Sequence, residues 1–433
     1  MKHFPIELRA VSPLAIRSDH AAGRAETAKY ISGTTLAGSL ATVHRLLHSE
    51  QVGEFEALFL NERVHYPNLY PASFKAGEMQ DAKLPVYPIP KTAQSCKRFP
   101  DFRYRFDSED DDEERHGVRD GLLDWAMFKL STRNGYGKDH VAPLKALQEH
   151  KLCEICGAPM DRFPGYYRQD AIETEQIISA QVDSHTRLQT HTGINRESGT
   201  IQEGILYNRE VFEEDMRFWG MVKLPEDEKL AQTFKDFVEE VGHSGLVRIG
   251  TGRTRGMGKV TLAEEPLEGE EARYSSSREE RYSSSRERLM AFNTALKKKA
   301  RELGLENLEP FYFAVTLHSP LILCDSLLRY QGMIDGDTLA SLAGLPPSNI
   351  ELIYQAASVR RVMGWNELWG MPRTHEYAIE TGSVFLFASS LDAEDAVLKL
   401  LFELEERGIG RRRAEGFGWV CVSDPFHVEV ELR

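Results

Sequence analysis

The chain has 433 residues, of which 41% are hydrophobic and 28% charged, as is typical of a soluble globular protein with two or three domains. Its formal net charge of −14 excludes a uniformly basic nucleic-acid coat, so any nucleic acid must be held by local basic patches. No apolar run approaches the ~18 residues of a membrane span, and the first residues lack the apolar core of a signal peptide. Five cysteines suit a reducing compartment. We therefore expect a cytoplasmic protein without a membrane partner.

The first predicted elements are a strand and a helix. Residues 4–16 are rich in alternating apolar residues and end in Ser-Pro-Leu, which predicts a strand that stops at Pro13. The stretch GTTLAGSLA from Gly33 predicts a helix with a hydroxyl side chain as its cap. Free N–H groups at its start could bind a phosphate, and a well-capped core helix is an equal alternative. The side chains available to such a phosphate are Arg17, Arg24, Lys29 and Thr34.

A candidate metal site follows in the next part of the chain. Cys153 and Cys156 form a CxxC motif with a glycine after the second cysteine, which is typical of structural zinc knuckles. Zn²⁺ in such sites takes four nitrogen or sulfur ligands, and the upstream candidates are Cys96, His116 and His150. Redox chemistry is the alternative for a CxxC motif, but a clear strand-to-helix thioredoxin context is missing.

A β-hairpin is predicted over residues 185–212. The turn Asn195-Arg-Glu-Ser-Gly199 lies between partly alternating flanks, as in extended hairpins. Further along, residues 265–290 contain EARYSSSR followed directly by EERYSSSR, which predicts a flexible linker. This linker leads into a charged helix around Arg286–Leu303.

An internal repeat organises the whole chain. Residues 311–323 resemble residues 4–16, since both are strand-like and close with Ser-Pro-Leu. Residues 249–260 (IGTGRTRGMGKV) align without a gap with residues 409–420 (IGRRRAEGFGWV). The second copy spans about ninety residues, which fits one βαββαβ ferredoxin-like unit. The first copy is much longer and must carry large insertions.

The two Gly-rich segments are candidate binding loops. Neither has the spacing of a P-loop or of a dinucleotide fingerprint. Glycines that expose successive N–H groups, interleaved with arginines, suit gripping a phosphodiester chain, whereas a solvated turn is the alternative. The residues concerned are Arg248, Gly250, Gly252, Arg253, Arg255, Gly256, Gly258 and Lys259 in the first loop, and Arg407, Gly410, Arg411, Arg412, Arg413, Gly416 and Gly418 in the second.

Aromatic residues beside arginines in the second copy could stack unpaired bases. Packing of both tryptophans against the sheet is the preferred alternative. The residues are Tyr330, Trp365 and Trp369, with Arg360, Arg361 and Arg373. Cys324 and Cys421 lie in strand-like apolar runs and are expected to be core residues.

Together, the paired Gly-rich loops, the early YISGTTLAGSLA helix and the segments CKRFP, HGVRD and THTGINRESGTIQEGILY resemble the CRISPR-associated RAMP superfamily. The similarity covers nearly the whole chain and is strongest to the two-RRM subunit of type III-D effector complexes. The resemblance implies an α+β fold of two ferredoxin-like, RRM-like domains with Gly-rich loops. It implies a domain over residues 1–264, a linker and charged helix over 265–305, and a second domain over 306–433. The first domain would contain a zinc-binding insertion at about 85–165 and a hairpin thumb at about 185–212.

The resemblance also implies a function. The chain would be a noncatalytic subunit that binds the repeat-derived 5′ handle of a CRISPR RNA, caps the filament of RAMP backbone subunits and touches the large subunit. A structural Zn²⁺ would be held by a Cys₃His set of Cys96, His116, Cys153 and Cys156. The hairpin would reach over the guide RNA like a thumb, with contacts from Arg187, His191, Asn195 and Arg196.

Two alternatives belong to other functional classes. The superfamily includes metal-independent ribonucleases that process CRISPR RNA, and histidines available for general acid–base catalysis are His20, His44, His185 and His191. No spacing identifies a cooperating pair among them. A protein-only assembly module is the second alternative. A polymerase or cyclase is not supported, because the sequence has no Gly-Gly-Asp-Asp run.

Overall fold

The computed structural model describes most of the chain. The described residues are 1–16, 27–72, 86–102, 115–133, 151–169, 177–179, 186–194, 197–262, 277–346, 348–366, 370–393 and 395–429. Among them, no helix is both long and apolar enough to cross a membrane.

The first part of the chain, up to residue 262, contains twelve of the described strands and four of the helices. The strands are β1 (Lys2–Ala10), β2 (Tyr70–Pro71), β3 (Tyr87–Pro88), β4 (Ala93–Cys96), β5 (Val118–Asp120), β6 (Met160–Arg162), β7 (Tyr166–Gln169), β8 (Ile177–Ser179), β9 (Thr186–Ile194), β10 (Ile201–Phe212), β11 (Arg217–Leu224) and β12 (Val260–Leu262). The helices are α1 (Gly33–Leu47), α2 (Val52–Phe55), α3 (Leu122–Arg133) and α4 (Glu228–Ser244), and a π-helical turn, Glu56–Leu60, follows α2.

The second part begins with a long helix, α5 (Arg278–Glu302). Its strands are β13 (Phe311–Leu317), β14 (Ile350–Ala356), β15 (Val359–Val362), β16 (Trp365–Asn366), β17 (Met371–Pro372), β18 (Glu376–Ile379), β19 (Val384–Ser389) and β20 (Val420–Val422). Its other helices are α6 (Gly336–Ala343), α7 (Asp395–Arg407) and α8 (Phe426–Glu429).

Two four-stranded antiparallel sheets have the same strand order. One runs β12-β1-β11-β2 and the other β20-β13-β19-β14. In each sheet the order is fourth, first, third and second of its own four strands, with a helix after the first strand and another after the third. The helices are α1 and α4 in the first unit, and α6 and α7 in the second. This arrangement is the βαββαβ unit that the internal repeat predicts.

The two sheets are buried to different extents. In β1, the buried Ile6, Leu8 and Ala10 alternate with more exposed residues, because one face packs on α1 and α4 while the other is less covered. All seven residues of β13 are buried. This sheet packs against α6 and α7 on one face and against α3 and α5 on the other, so its strands are apolar throughout.

The insertion of the first unit packs against the second unit. The Lys91 backbone N–H donates to the Gly382 carbonyl at 2.7 Å. Trp125 of α3 stacks on Tyr354 of β14, with ring centroids 5.5 Å apart and nearly parallel planes. The carboxylate of Asp120 lies 2.8 Å from Nδ1 of the buried His427. The insertion is therefore a bridge between the two units and not an appendage of the first.

The charged helix α5 begins at Arg278, eight residues before the sequence-based expectation. Ser277 accepts a hydrogen bond from the Glu280 N–H, and the Glu280 side chain accepts one from the Ser277 N–H. This capping box fixes the start of the helix. The second copy of the tandem Tyr-Ser-Ser-Ser-Arg motif therefore lies in the helix and not in a linker.

Candidate nucleic-acid interface and metal centre

The two sequence repeats meet in space within each unit. The Gly258 N–H donates to the Pro13 carbonyl at 2.9 Å, and the Gly418 N–H donates to the Pro320 carbonyl at 2.8 Å. Each Ser-Pro strand end is therefore bonded to its own Gly-rich loop in the same register. The two loops also contain the same short 3₁₀ turn, at Arg253–Arg255 and at Arg413–Glu415.

Packing within the protein explains why glycine stands at one repeated position of the loops. Gly250 and Gly410 have φ angles of +84° and +76°, which favour glycine. A Cβ atom would lie 2.4 Å from the Ala15 carbonyl oxygen at Gly250 and 2.5 Å from the Ile322 carbonyl oxygen at Gly410. These two glycines therefore allow the loop to approach its strand end, whereas the sequence alone suggested close approach to a ligand.

The first Gly-rich loop contacts the long hairpin formed by β9 and β10. Nη1 of Arg255 donates to the Tyr207 hydroxyl at 2.7 Å. The Tyr207 ring stacks on His191, with centroids 5.2 Å apart and planes inclined by 21°. The guanidinium of Arg209 lies beside Gly252, since a Cβ atom there would come within 3.2 Å of it. The loop and the hairpin thus form one continuous surface, called here the loop–hairpin surface.

The hairpin has two different faces. Tyr207 is the register partner of His191, and Arg209 is the partner of Gln189. Because side chains alternate along a strand, these residues and Arg187 share the face that meets the loop. The opposite face contains Leu188, Thr190, Thr192, Ile194 and Leu206, all of them exposed. Arg187 also forms an ion pair with Glu214 at 3.0 Å, and Asn195 and Arg196 lie outside the described residues.

The start of α1 is bonded to protein groups. The side chain of Ser32 accepts a hydrogen bond from the Thr35 N–H, as expected for an N-cap. The Gly33 N–H donates to Oδ1 of Asn68 at 2.9 Å, and Nδ2 of Asn68 donates to the Gly416 carbonyl of the second loop at 3.0 Å. This helix start is therefore capped by Ser32 and holds the second Gly-rich loop, while phosphate binding there stays a prediction.

Glu415 joins the second loop to the first unit. Its carboxylate accepts a hydrogen bond from the Thr34 hydroxyl at 3.1 Å and forms ion pairs with Arg373 at 2.7 Å and with Arg412 at 2.8 Å. Arg412 also pairs with Glu376 at 2.5 Å, and only 18% of its side chain is exposed. Burial alone would raise the pKa of Glu415, but hydrogen bonds from the two arginines lower it to about 2.

The two loops therefore differ in charge at one aligned position. In the gapless alignment, Glu415 stands where the first loop has Arg255. Arg255 is exposed on the loop–hairpin surface, whereas Glu415 is half-buried between the two units. The first loop faces solvent with its basic side chains, and the second loop is partly used to join the units.

The other residues predicted to bind RNA in the loops and before α1 fall into three groups. Arg248 donates through Nη1 to the carbonyls of Gly245 and Val247, at 2.8 and 2.9 Å, so it caps the end of α4. The exposed residues are Lys29, Arg253, Gly256, Lys259, Arg407, Arg411 and Arg413. Arg17 and Arg24 lie outside the described residues.

The structure brings together the four side chains of the predicted metal centre. Sγ of Cys96 lies 3.5 Å from Sγ of Cys156, and Nδ1 of His116 lies 3.2 Å from Sγ of Cys153. All four ligand atoms lie within 4.8 Å of one another. Gly157, with φ of +65°, closes the knuckle, and its N–H donates to the Cys153 carbonyl at 2.8 Å.

Hydrogen bonds within this cluster lower the pKa of one of its thiols, whereas the neighbouring cysteines raise that of Cys156. Burial would raise the pKa of Cys153, but N–H groups of Cys156 and Ile155 and the His116 side chain donate hydrogen bonds that lower it to about 6. A thiolate at neutral pH is the form that binds metal ions. Three sulfur donors and one nitrogen donor suit a closed tetrahedral site without an open position. His150 lies outside the described residues.

The structure also locates residues considered for catalysis or stacking. His44 is buried, and its Nε2 lies 3.0 Å from Oε1 of Glu54. His191 packs on Tyr207 in the loop–hairpin surface. Tyr330 is 38% exposed and makes an edge contact with Tyr377. The other residues considered in these two roles include His20, His185 and Trp369, which lie outside the described residues, as does the side chain of Trp365.

Sequence reasoning missed several residues of this region. Asn68 connects α1 to the second loop, and Tyr207 and Arg209 contribute to the loop–hairpin surface. The alternation of the predicted hairpin was a usable signal for Tyr207 and Arg209, because it places them on the face of His191. Asn68 had no such signal, since its partners are distant in sequence.

Comparison with known proteins gave one family match and several distant structural similarities. The model of the RAMP superfamily matches residues 7–261. No curated protein matches the sequence. A chain of the Type III-B Cmr-beta complex bound to cognate target RNA and AMPPnP has 11% identity and a TM-score of 0.39, covering 88% of this chain and 86% of that one.

Two further structures are similarly distant. A chain of the Csm3-Csm4 subcomplex of the type III-A CRISPR-Cas interference complex has 13% identity and a TM-score of 0.32, covering 90% of this chain and 96% of that one. The Thermus thermophilus Cas6 has 12% identity and a TM-score of 0.26, covering 48% of this chain and 74% of that one. Similarities at this level assign no function.

Proposed function

The chain belongs to the RAMP superfamily, and from this membership we propose that it is a noncatalytic RNA-binding subunit of a type III CRISPR effector complex, of the III-D kind. In this proposal it binds the repeat-derived 5′ handle of the CRISPR RNA and caps the filament of RAMP backbone subunits beside the large subunit. Base pairing by the guide, and not this chain, would recognise the target sequence. The proposed domains are residues 1–264 and 306–433, joined by 265–305.

The observation that carries this proposal is the loop–hairpin surface. Arg187, Arg209 and Arg255 lie on one side of the first unit together with the stacked rings of Tyr207 and His191, and Arg253 is exposed on the same loop. Guanidinium groups bind phosphate oxygens, and aromatic faces stack on unpaired bases. A locally basic surface on a protein with a net charge of −14 directs RNA to this place and disfavours binding elsewhere.

The second loop would contact RNA less than the first loop does, and it would mainly hold the two units together. Arg411 and Arg413 are exposed and would be the RNA contacts of the second loop. Arg412 and Thr34 are instead bonded to the Glu415 carboxylate. In this proposal they position the second unit against the first.

The metal centre would hold a structural Zn²⁺. Its ligands would be Cys96, His116, Cys153 and Cys156, whose donor set and spacing fit that ion. The ion would join the knuckle to β4 and to the segment before β5, and would thereby stabilise the insertion.

RNA binding by the purified chain tests the proposal. Labelled repeat-spacer RNA is titrated with protein without added Mg²⁺ over a salt series, and both retention and RNA length are followed. We expect intact RNA to bind and affinity to fall with salt. Arg253→Ala with Arg255→Ala should reduce the slope of log affinity against log salt by about 1.4, because each phosphate contact on a single strand contributes about 0.7.

The matched control removes two charges from another exposed face of the same unit. Lys229→Ala with Lys235→Ala on α4 should leave both the affinity and the slope near those of the native chain. Equal losses of RNA affinity in the two double variants would contradict a local binding surface. Discrete cleavage within the repeat would favour the ribonuclease alternative, and absence of binding would favour the protein-only module.

A further inference from the structure

A second group of metal-binding side chains lies at the junction of the insertion and the second unit. His318 directly follows β13, Cys421 lies in the neighbouring strand β20, and Asp424 follows that strand. One ligand atom from each of the three residues lies within 4.8 Å of the others. Cys421 and Asp424 are buried, and 13% of the His318 side chain is exposed.

Hydrogen bonds fix the orientation of the Asp424 carboxylate. Oδ1 accepts hydrogen bonds from the Tyr167 hydroxyl at 3.1 Å and from the Phe426 N–H at 3.0 Å. Oδ2 lies 2.6 Å from Nε2 of His318. Tyr167 lies in β7 of the insertion, whereas Asp424 follows β20 of the second unit. The hydrogen bond between them therefore connects the insertion to the second unit. Such outer hydrogen bonds orient ligands at metal sites.

The charges of the group are compatible with a cation. Burial would raise the pKa of Asp424, but the neighbouring His318 and His427 hold it well below its usual range, so the carboxylate is ionised. The nearby cation Arg288 forms a bidentate ion pair with Glu405, with both distances at 2.9 Å. Its charge is therefore already compensated.

The Cys421 thiol has no described role in the fold beyond filling space. The Cys₃His cluster shows the same pattern of ligands at hydrogen-bond distance, with His116 Nδ1 3.2 Å from Cys153 Sγ. In both clusters a histidine ring nitrogen lies at hydrogen-bond distance from an anionic or thiol partner.

We propose that His318, Cys421 and Asp424 form a second site, for a divalent transition-metal ion of the zinc class. Nitrogen, sulfur and oxygen donors together suit Zn²⁺ and its substitute Co²⁺. Cys421 would bind the ion as a thiolate, and its proton would go to solvent. Three protein ligands leave one coordination position for water. The site does not depend on the RNA-binding proposal.

Metal content of the full chain tests this site. The protein is stripped with a chelator, reloaded with Co²⁺, freed of excess ion and analysed by native mass spectrometry. We expect Cys421→Ser to retain one ion fewer than the native chain. The matched control is Cys324→Ser, since Cys324 lies outside both clusters and should leave the number of ions unchanged.

A second variant keeps the result interpretable if Cys421→Ser folds poorly. His318→Gln retains a side chain that can donate to Asp424, and it should also lose one ion. If both variants keep the native number of ions, the proposal is wrong and the group is a buried ion pair beside a core thiol.

Discussion

Two glycines of the same helix illustrate how much depends on single residues. A Cβ atom at Gly33 would lie 2.4 Å from the Tyr66 carbonyl oxygen and 2.7 Å from that of Glu415. Both obstacles are backbone atoms, one in each unit, so neither can move aside alone. A Cβ atom at Gly38 would have nothing within 4 Å.

This difference gives a matched prediction. Gly33→Ala should lower the free energy of unfolding by about 1–3 kcal/mol, because overpacking must separate the second loop from α1. Gly38→Ala should raise it by about 0.5–1 kcal/mol through the higher helix propensity of alanine. Urea denaturation of both variants measures the effects. Similar free energies of unfolding for the two variants would contradict the close packing at Gly33.

A half-buried histidine, His65, predicts a pH dependence of stability. Burial, with smaller contributions from Arg413 and Lys223, lowers the pKa of His65 to about 4. Between pH 6.5 and 4 the unfolded chain binds the proton more readily than the folded chain does. The free energy of unfolding should therefore decrease as the pH falls through this range, by up to about 3 kcal/mol from this residue.

Denaturation at several pH values isolates this contribution. The profile of His65→Asn should be flatter than the native one between pH 6.5 and 4. The profile of His375→Asn, which changes an exposed residue, should run parallel to the native one. If the His65 variant also runs parallel, its ring is not the source of the acid sensitivity.

At the scale of elements, the two Gly-rich loops share a backbone shape but not a role. Arg412 connects Glu376 and Glu415 in a half-buried position, whereas the adjacent Arg411 is exposed. Arg412→Ala should lower the free energy of unfolding by about 1–3 kcal/mol, because it removes the arginine that pairs with the poorly solvated Glu376 and one of the two arginines that pair with Glu415. Arg411→Ala should change it by less than about 0.5 kcal/mol. Urea denaturation distinguishes them, and equal effects would contradict the joining role of the second loop.

The sequence predicted the repeated elements well because each carries a local signal. Alternating apolar residues before Ser-Pro and the Gly-x-Gly spacing located both strand ends and both loops. The hydroxyl side chains of Ser32, Thr34 and Thr35 indicated the start of α1, where the structure shows Ser32 as the cap. The CxxC motif located the metal centre. The contacts of Asn68 and Glu415 could not be predicted, since each joins residues more than 300 positions apart and no alternation or spacing encodes such a pair.

At the scale of the whole molecule, the metal centre should stabilise more than its own knuckle. β4 carries Cys96 at its end, and Lys91 shortly before it donates its N–H to Gly382 in the second unit. Removing the proposed Zn²⁺ with a chelator should therefore lower hydrogen-exchange protection in β4–β6 and at the Lys91 N–H. A loss of at least about tenfold, or ~1.4 kcal/mol, is expected there.

Hydrogen exchange with mass spectrometry checks this prediction. The amides of β1 and β11 provide an internal reference, because they belong to the first sheet and its separate core. A uniform loss over both regions would indicate global destabilisation, and no loss in β4–β6 would show that the metal does not support the insertion.

The insertion of the first unit packs on the second unit and so holds the two units together, which the order of the strands does not show. α3, from the first part of the chain, packs with α5 on the outer face of the second sheet. The peptide connection between residues 262 and 277 is therefore not what keeps the units together. Co-expressed as two polypeptides, residues 1–262 and 277–433 should assemble into one particle without a covalent link, as in a split-protein reporter.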